Sequence, residues 1–250
     1  MPEIWKMALL FGVGAVAGII NVNAGGGSSL TLPALIFLGL DGAAANGTNR
    51  IGLLMQNILA ISSFKRQKFA EFKTSLVIAL FTLPGAVAGA FVAVRIGNEW
   101  FQRILSIVMI GIVCTMFLPR PKEGNRSADG HHAGRWWIYP AMLGIGFYGG
   151  FIQMGVGFLL MASLYHILRI GLVRVNMHKV FIVFIYTIPA IGVFAMTGNI
   201  NWMYGLVLAG GMGLGAWFGA HIAVKGGERI IRYILAGAIL LMALKLLNVF

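Results

Sequence analysis

The hydrophobic positions of the chain fall into long blocks that short polar or glycine-rich segments separate. Several blocks approach the roughly 20 residues that an α-helix needs to cross a bilayer. The clearest of them are residues 75–94, 104–118, 180–196, 202–224 and 230–249. This pattern predicts an all-α, polytopic membrane protein.

Each half of the chain shows the same order of predicted elements. In the first half we expect helices at 4–20, 28–39, 47–63, 73–94 and 101–118, with a break at 21–27. In the second half we expect them at 136–152, 158–169, 175–196, 202–224 and 230–249, with a break at 153–157. The segment after each break is too short to span comfortably, which favours a half-helix or a re-entrant piece.

The two halves also resemble each other in sequence. Gly12, Gly14 and Gly18 recur 132 positions later, and GAVAGAFVAVR at 85–95 recurs as GAWFGAHIAVK at 215–225. We therefore predict a first membrane repeat at 1–118, a linker at 119–135 and a second membrane repeat at 136–250. The linker, PRPKEGNRSADGHHAGR, is the one stretch with the composition of a soluble segment.

Charge in the loops predicts that the repeats are inverted. The loop at 64–73, FKRQKFAEFK, carries four basic residues, whereas its counterpart at 197–202 carries no charge. The positive-inside rule places the first loop in the cytoplasm and the second outside. The linker then lies inside and both termini lie outside, in an arrangement typical of transporters with a site near the midplane.

Composition excludes several other classes of protein. The chain is 59% hydrophobic and only 10% charged, against about 25% charged in soluble domains. Its net charge of +12 lies in short clusters between apolar runs, as expected for headgroup contacts rather than nucleic-acid binding. The single cysteine, Cys114, excludes an internal disulfide, and His131–His132 has no further ligand pattern, so we expect neither metal nor cofactor.

The first break is the densest polar patch within the apolar region. Three consecutive glycines interrupt the helix, and two serines suited to N-caps follow them. We expect a half-helix to begin here with free N–H groups and its positive end towards the break, which makes an anion site. The alternative is a tight helix crossing with capping serines. The candidate residues are Asn21, Asn23, Gly25, Gly26, Gly27, Ser28 and Ser29.

A second polar patch opens the next helix. Asn46, Asn49 or Arg50, and Leu53 or Gln56–Asn57 follow helical spacing and predict one polar stripe that faces the protein interior. Arg50 is either a substrate contact or an interface anchor that reaches the headgroups. The candidates from the second half are Gln153, Gly157, His178 and Lys179, and most cations of that segment are expected to be headgroup anchors.

The positions of the acidic residues indicate the charge of the substrate. All seven acidic residues fall at predicted helix ends or in loops. A cation carrier or a carboxylate proton relay would need one inside the membrane. The polar residues therefore favour a small anion driven by the membrane potential, with proton coupling through His166, His178 or His221 as the competing mechanism.

These motifs resemble those of the TauE/SafE family of sulfite and organosulfonate exporters. The resemblance rests on GVGAVAGIINVNAGGGSSLTLPALIFLGL, on AAANGTNRIG and on the duplicated GA-x-x-GA motif, and it covers nearly the whole chain. The second half departs from the family pattern at Asn176-Met177-His178-Lys179. The resemblance implies a multi-pass carrier of sulfite, sulfonates or related small anions in the inner membrane, and not an enzyme.

Other classes remain as alternatives. A channel of the same architecture would give flux that does not saturate. An assembly subunit without a transported substrate would keep its function after the polar break is replaced. An intramembrane serine enzyme would need a G-x-S-G pattern that the chain lacks. The sequence leaves the oligomeric state open, a homo-oligomer included.

Overall fold

In a computed structural model, residues 2–66, 72–117, 136–168, 170 and 172–222 are described, and these stretches contain α-helices and no strand. The first half contains α1 (Pro2–Ala24), α2 (Ser28–Phe37), α3 (Gly42–Arg66), α4 (Phe72–Arg95) and α5 (Asn98–Phe117). The second half contains α6 (Ile138–Phe151), α7 (Val156–Leu168), α8 (Leu172–Met196) and α9 (Trp202–Ile222). The predicted linker at 119–135, half of the loop at 64–73 (residues 67–71) and the predicted helix at 230–249 lie outside the described residues.

Both predicted breaks are present. The first is shorter than expected, because α1 continues to Ala24, and it begins at Gly25 with a φ of 80°. The second occupies residues 152–155, where Gln153 and Gly155 have φ values of 67° and 72°. Left-handed backbone of this kind ends a helix, and it is uncommon for a residue other than glycine. The half-helices that follow, α2 and α7, contain 10 and 13 residues.

The halves pack on each other through their glycine-rich helices. Helix α1 lies along α9, and α4 lies along α6. A Cβ added at Gly18 would collide with the Met212 carbonyl oxygen of α9, and one added at Gly150 would collide with the Ala86 carbonyl oxygen of α4. Small residues let membrane helices approach closely in this way. Gly85, Gly89 and Gly215 of the duplicated motif make equivalent backbone contacts with the opposite half.

Three described helices are long and apolar enough to cross a membrane, at Glu3–Val22, Lys73–Arg95 and Arg174–Met196. Their outward faces carry large apolar side chains, and so do those of α5 and α9, where Ile107 and Leu206 are each 65% exposed. Apolar surface on this scale suits contact with lipid rather than water. The chain is therefore an all-helical membrane protein.

Helix α3 has the opposite pattern, with a polar side buried in the protein. The polar side chains on one side of α3 are almost fully inaccessible to solvent. Helix α3 packs between α8 and α9. The predicted polar stripe is thus present. Its buried members are Asn46, Thr48, Asn49, Arg50, Gln56 and Asn57.

Candidate substrate-binding site

A small cavity lies where the two chain breaks meet, between α3 and α8. Its volume, measured as the space open to the centre of a water molecule, is about 20 Å³, which is enough for at least one water molecule. Both halves supply its lining. The lining residues are Asn21, Gly25, Ser28, Leu53, Gln56, Asn57, Gln153, Gly157, Lys179, Val180 and Val183.

The two breaks touch each other at a pair of glycines. A Cβ added at Gly25 would lie 3.0 Å from both the Cα and the carbonyl carbon of Gly157, so the two backbones are in direct contact. Gly25 also has the left-handed φ of 80° that a side chain would strain. This contact closes one side of the cavity.

The start of α2 is arranged differently from the expectation. Gly27 is the N-cap residue and no side chain caps the helix, so the predicted capping role of Ser28 and Ser29 is wrong. The N–H groups of Ser29 and Leu30 donate to the carbonyls of Gly26 and Gly27 at 3.1 and 3.0 Å. The short three-residue turns that the glycines permit therefore occupy donors that were expected to be free.

The Asn21 side chain accepts from a further N–H of this turn and also binds Gln56, so it orients the polar groups on both sides. Its Oδ1 accepts from the Gly27 N–H at 3.3 Å, and its Nδ2 donates to Gln56 Oε1 at 3.1 Å. Gln56 accepts through its oxygen, and its NH₂ group donates to none of the described residues. Two amide N–H donors of Gln56 are thus available at the cavity.

Arg50 lies beside the cavity and is fully buried. Its Nη2 donates to the carbonyls of Gly149 and Gly150 at 2.9 and 2.5 Å, and its Nη1 donates to Gln153 Oε1 at 3.1 Å. The guanidinium also lies over the Phe194 ring, 4.9 Å from its centroid. Arg50 therefore binds protein groups of the second half, and the alternative of a headgroup anchor is wrong.

Lys179 is the charged residue among those that line the cavity. It is 3% exposed, and its Nζ donates to the Asn21 carbonyl at 3.3 Å, with the Met161 sulfur at 3.9 Å. An ammonium has three donors, so this one retains capacity for a further ligand. The described carboxylates, Glu3, Asp41 and Glu99, are all exposed, and none lines the cavity.

The expectation that most cations of the second half anchor to headgroups stays a prediction for Arg174 and fails for two others. Arg174 is exposed. His178 and Lys179 are buried, and His178 Nδ1 lies 2.7 Å from Ser75 Oγ on α4, away from the cavity lining. Successive residues of a helix point about 100° apart, so neighbouring side chains reach different surroundings.

The remaining predicted site residues lie near the cavity lining but not in it. Ser29 is buried with an Oγ that has no hydrogen-bond partner in the described part of the chain, and Asn49 Oδ1 accepts from Thr31 Oγ1 at 2.6 Å. A Cβ at Gly26 would meet the Phe158 ring, and one at Gly27 would meet the Ala17 carbonyl. The side chain of Asn23 lies outside the described part of the structure.

Several lining residues were not among the predicted site residues. Leu53, Gln56 and Asn57 had a signal, since they continue the helical spacing of the stripe on α3, but Val180 and Val183 are indistinguishable from other apolar helix residues. Tyr186 also belongs to the surroundings of the site, because its hydroxyl accepts from Gln153 Nε2 at 3.0 Å. Its signal is the spacing of seven residues from Lys179, which places both on one face of α8.

Comparison with known proteins gives a consistent match along the chain. The family model described as Sulfite exporter TauE/SafE matches residues 10–246. A probable membrane transporter protein, ORF9, of Sinorhizobium sp. is 30% identical over 243 residues, which cover 96% of this chain and 92% of that protein. No solved structure matches the chain.

Two further relatives are also named as probable membrane transporters. The Haemophilus influenzae protein is 28% identical over 228 residues, covering 90% of this chain and 88% of its own. YfcA of Escherichia coli is 27% identical over 241 residues, covering 96% and 89%. These names describe transporters and not enzymes, which agrees with the expectation from the sequence.

Proposed function

Because the chain belongs to the TauE/SafE family and is a membrane transporter, we propose that it carries a small sulfur-containing anion, sulfite or an organosulfonate, through the cavity between its two breaks. We propose further that it exports the anion across the inner membrane. Gln56, Gln153, Ser28 and Lys179 are the proposed ligands.

The observation that carries this proposal is the excess of donors at the cavity. The amide oxygens of Asn21, Gln56 and Gln153 each accept a hydrogen bond from the protein. The NH₂ groups of Asn21 and Gln153 each donate one N–H to the protein and keep a second, and Gln56 keeps both of its N–H groups among the described residues. Asn57 likewise donates one N–H, to the Leu53 carbonyl at 2.9 Å. Donors together with an ammonium that lacks a described carboxylate partner favour an anion and disfavour a cation.

The packing supports a mechanism in which the halves are inverted repeats. Helix α1 lies along α9 as α4 lies along α6, and the two broken helices meet at the cavity. In transporters built from inverted repeats, one repeat moves against the other around a fixed central site. We propose that opening at α2 and at α7 exposes the anion alternately to the two sides, with both termini outside.

The membrane potential is the proposed driving force for export. Moving one elementary charge through 100 mV is worth about 2.3 kcal/mol. With the cytoplasm negative, a leaving monovalent anion gains this energy, which corresponds to a gradient of about 50-fold. Of the alternative proton carriers, His166 is exposed and His178 lies outside the cavity lining, while the His221 side chain is not described.

Flux into proteoliposomes tests the proposal directly. The substrates are sulfite, taurine, methanesulfonate, sulfate and acetate, each supplied under an imposed potential without a pH gradient and then with one. We expect saturable, potential-driven flux of sulfite or a sulfonate. Empty liposomes and liposomes with the Lys179→Gln variant serve as controls.

Each other outcome replaces the proposal with a defined alternative. Flux that rises linearly with concentration would indicate a channel. Flux that requires a proton gradient would overturn the voltage-driven mechanism. No flux of any substrate by a folded protein would favour an assembly subunit.

A further inference from the structure

Gln153 occupies an unusual position between the cavity and the buried Arg50. It lines the cavity, it is 3% exposed, and its backbone has a φ of 67° that residues other than glycine rarely adopt. Backbone strain of about 1–3 kcal/mol persists only where the surroundings hold the residue in place. The side-chain contacts of Gln153 show what holds it.

We propose that Arg50 and Tyr186 are positioning residues that do not touch the substrate but fix the Gln153 amide so that an N–H points into the cavity. This inference rests on the proposed anion transport. Gln153 Oε1 accepts from Arg50 Nη1 at 3.1 Å, and Gln153 Nε2 donates to the Tyr186 hydroxyl at 3.0 Å. Neither Arg50 nor Tyr186 is among the cavity-lining residues.

The guanidinium determines the orientation of the amide. If the amide were rotated by half a turn, its nitrogen would face Arg50 Nη1, and two donors cannot share a hydrogen bond. The oxygen is therefore held on the Arg50 side. An amide nitrogen has two N–H groups, and Tyr186 accepts one of them, so one remains for a ligand in the cavity.

Arg50 itself is held in place by groups that do not move with the side chain of Gln153. Its Nη2 binds the Gly149 and Gly150 carbonyls in the last turn of α6, and Asn46 Oδ1 lies 3.4 Å from the same nitrogen. Carbonyls at a helix C-terminus lack intrahelical partners, and they attract a cation. Arg50 is thus anchored to the end of the broken helix and sets the Gln153 amide from there.

A double-mutant cycle on substrate affinity tests the assignment. Arg50→Lys keeps the charge but cannot reach several acceptors in a fixed geometry. Gln153→Gly removes the amide and suits the left-handed backbone. We expect each single variant to raise the half-saturating sulfite concentration about 10-fold, with the maximal rate per folded protein changed less than about 2-fold.

The decisive result is the double variant. If Arg50 acts through Gln153, Arg50→Lys adds no further loss of affinity to Gln153→Gly. Losses that multiply to about 100-fold would overturn the proposal, because they would show that Arg50 acts independently. A wild-type protein with no saturable sulfite or sulfonate flux would instead refute the proposed function and not the positioning role.

A second variant keeps the proposal testable if Arg50→Lys does not fold. Tyr186→Phe removes the hydroxyl that accepts from Gln153 and leaves the ring in place. We expect about a 3-fold rise in the half-saturating concentration, and no effect of Tyr186→Phe in the Gln153→Gly background. An equal effect in both backgrounds would contradict the positioning role of Tyr186.

Discussion

Each half of the molecule sends one buried cation to the broken helix of the other half. Arg50 of α3 binds the carbonyls of Gly149 and Gly150 in the last turn of α6. Lys179 of α8 binds the carbonyl of Asn21 in the last turn of α1. Both contacts lie at the C-terminal end of a helix, which carries partial negative charge, although the Asn21 carbonyl also accepts from the Gly25 N–H at 2.9 Å.

The two contacts differ in how many N–H donors of the cation already have an acceptor in the protein. Arg50 donates to three protein acceptors within 3.1 Å and lies over an aromatic ring. Among the described residues Lys179 has one oxygen partner, at 3.3 Å, and it faces the cavity. We infer that the contact at α6 stabilises the structure, whereas the contact at α1 leaves donors that a substrate can occupy.

Replacement of Arg50 by Met is expected to have the largest effect, and on stability. It leaves the Gly149 and Gly150 carbonyls and the Gln153 oxygen without their donor in a buried place, at about 1–3 kcal/mol for each. We expect little folded protein, measured by size-exclusion chromatography and thermal unfolding in detergent. Arg103→Met is the matched control, because the Arg103 side chain is 54% exposed and its pair with Glu99 contributes little.

Replacement of Lys179 by Gln is expected to affect transport and leave the fold intact. The ammonium has no carboxylate partner among the described residues, so its loss removes a buried charge that is costly to hold. We expect flux to fall about 100-fold, in line with the loss of a charge partner for the anion. Lys65→Gln, at the exposed end of α3, is the control. If the Lys179→Gln variant unfolds, both cations are needed for stability, and the inferred difference between their roles is wrong.

Alanine variants of two glycines in the first break distinguish the effect of a crowded side chain alone from that of a crowded side chain on left-handed backbone. Gly25→Ala places a Cβ against the backbone of Gly157 at a φ of 80°, so we expect most transport to be lost. Gly26→Ala meets only the Phe158 ring, which can shift, so we expect a partial loss.

Gly39→Ala is the control for the first of these variants, because its φ is 100° and nothing lies within 4 Å of the added Cβ. It should cost about 1 kcal/mol of stability without affecting the site. Equal flux in the Gly25 and Gly39 variants would show that the contact between the breaks is dispensable.

The sequence predicts the elements of this fold well, because their signals are local. Apolar runs mark the helices, and consecutive glycines mark the first break. The second break is harder to delimit, since Gln153, a residue other than glycine, takes the left-handed conformation there together with Gly155. Its conformation depends on Arg50 and Tyr186, which lie 103 and 33 positions away along the chain.

The site is less predictable, because its geometry comes from the opposite half. Sequence spacing places Arg50 on a polar stripe, but only the position of α6 shows that its donors are already occupied. His178 and Lys179 are adjacent in sequence, yet one contacts Ser75 and the other faces the cavity. Ser28 and Ser29 match a capping pattern that the glycine carbonyls make unnecessary.

The asparagines that accompany the two cations give the smallest expected difference. Asn46 Nδ2 donates to the Phe151 carbonyl at 2.6 Å and its Oδ1 faces Arg50. Asn176 Nδ2 donates to the Val22 carbonyl at 2.8 Å, and its Oδ1 has no hydrogen-bond partner among the residues that the structure describes. Asn46→Ala should therefore cost about 2 kcal/mol, and Asn176→Ala about 1 kcal/mol or less, because it also removes an unpaired buried oxygen. Thermal unfolding of both variants in one detergent measures the difference. If Asn176→Ala proves the costlier, the end of α1 is held as firmly as the end of α6, and the inferred freedom of the Lys179 contact is wrong.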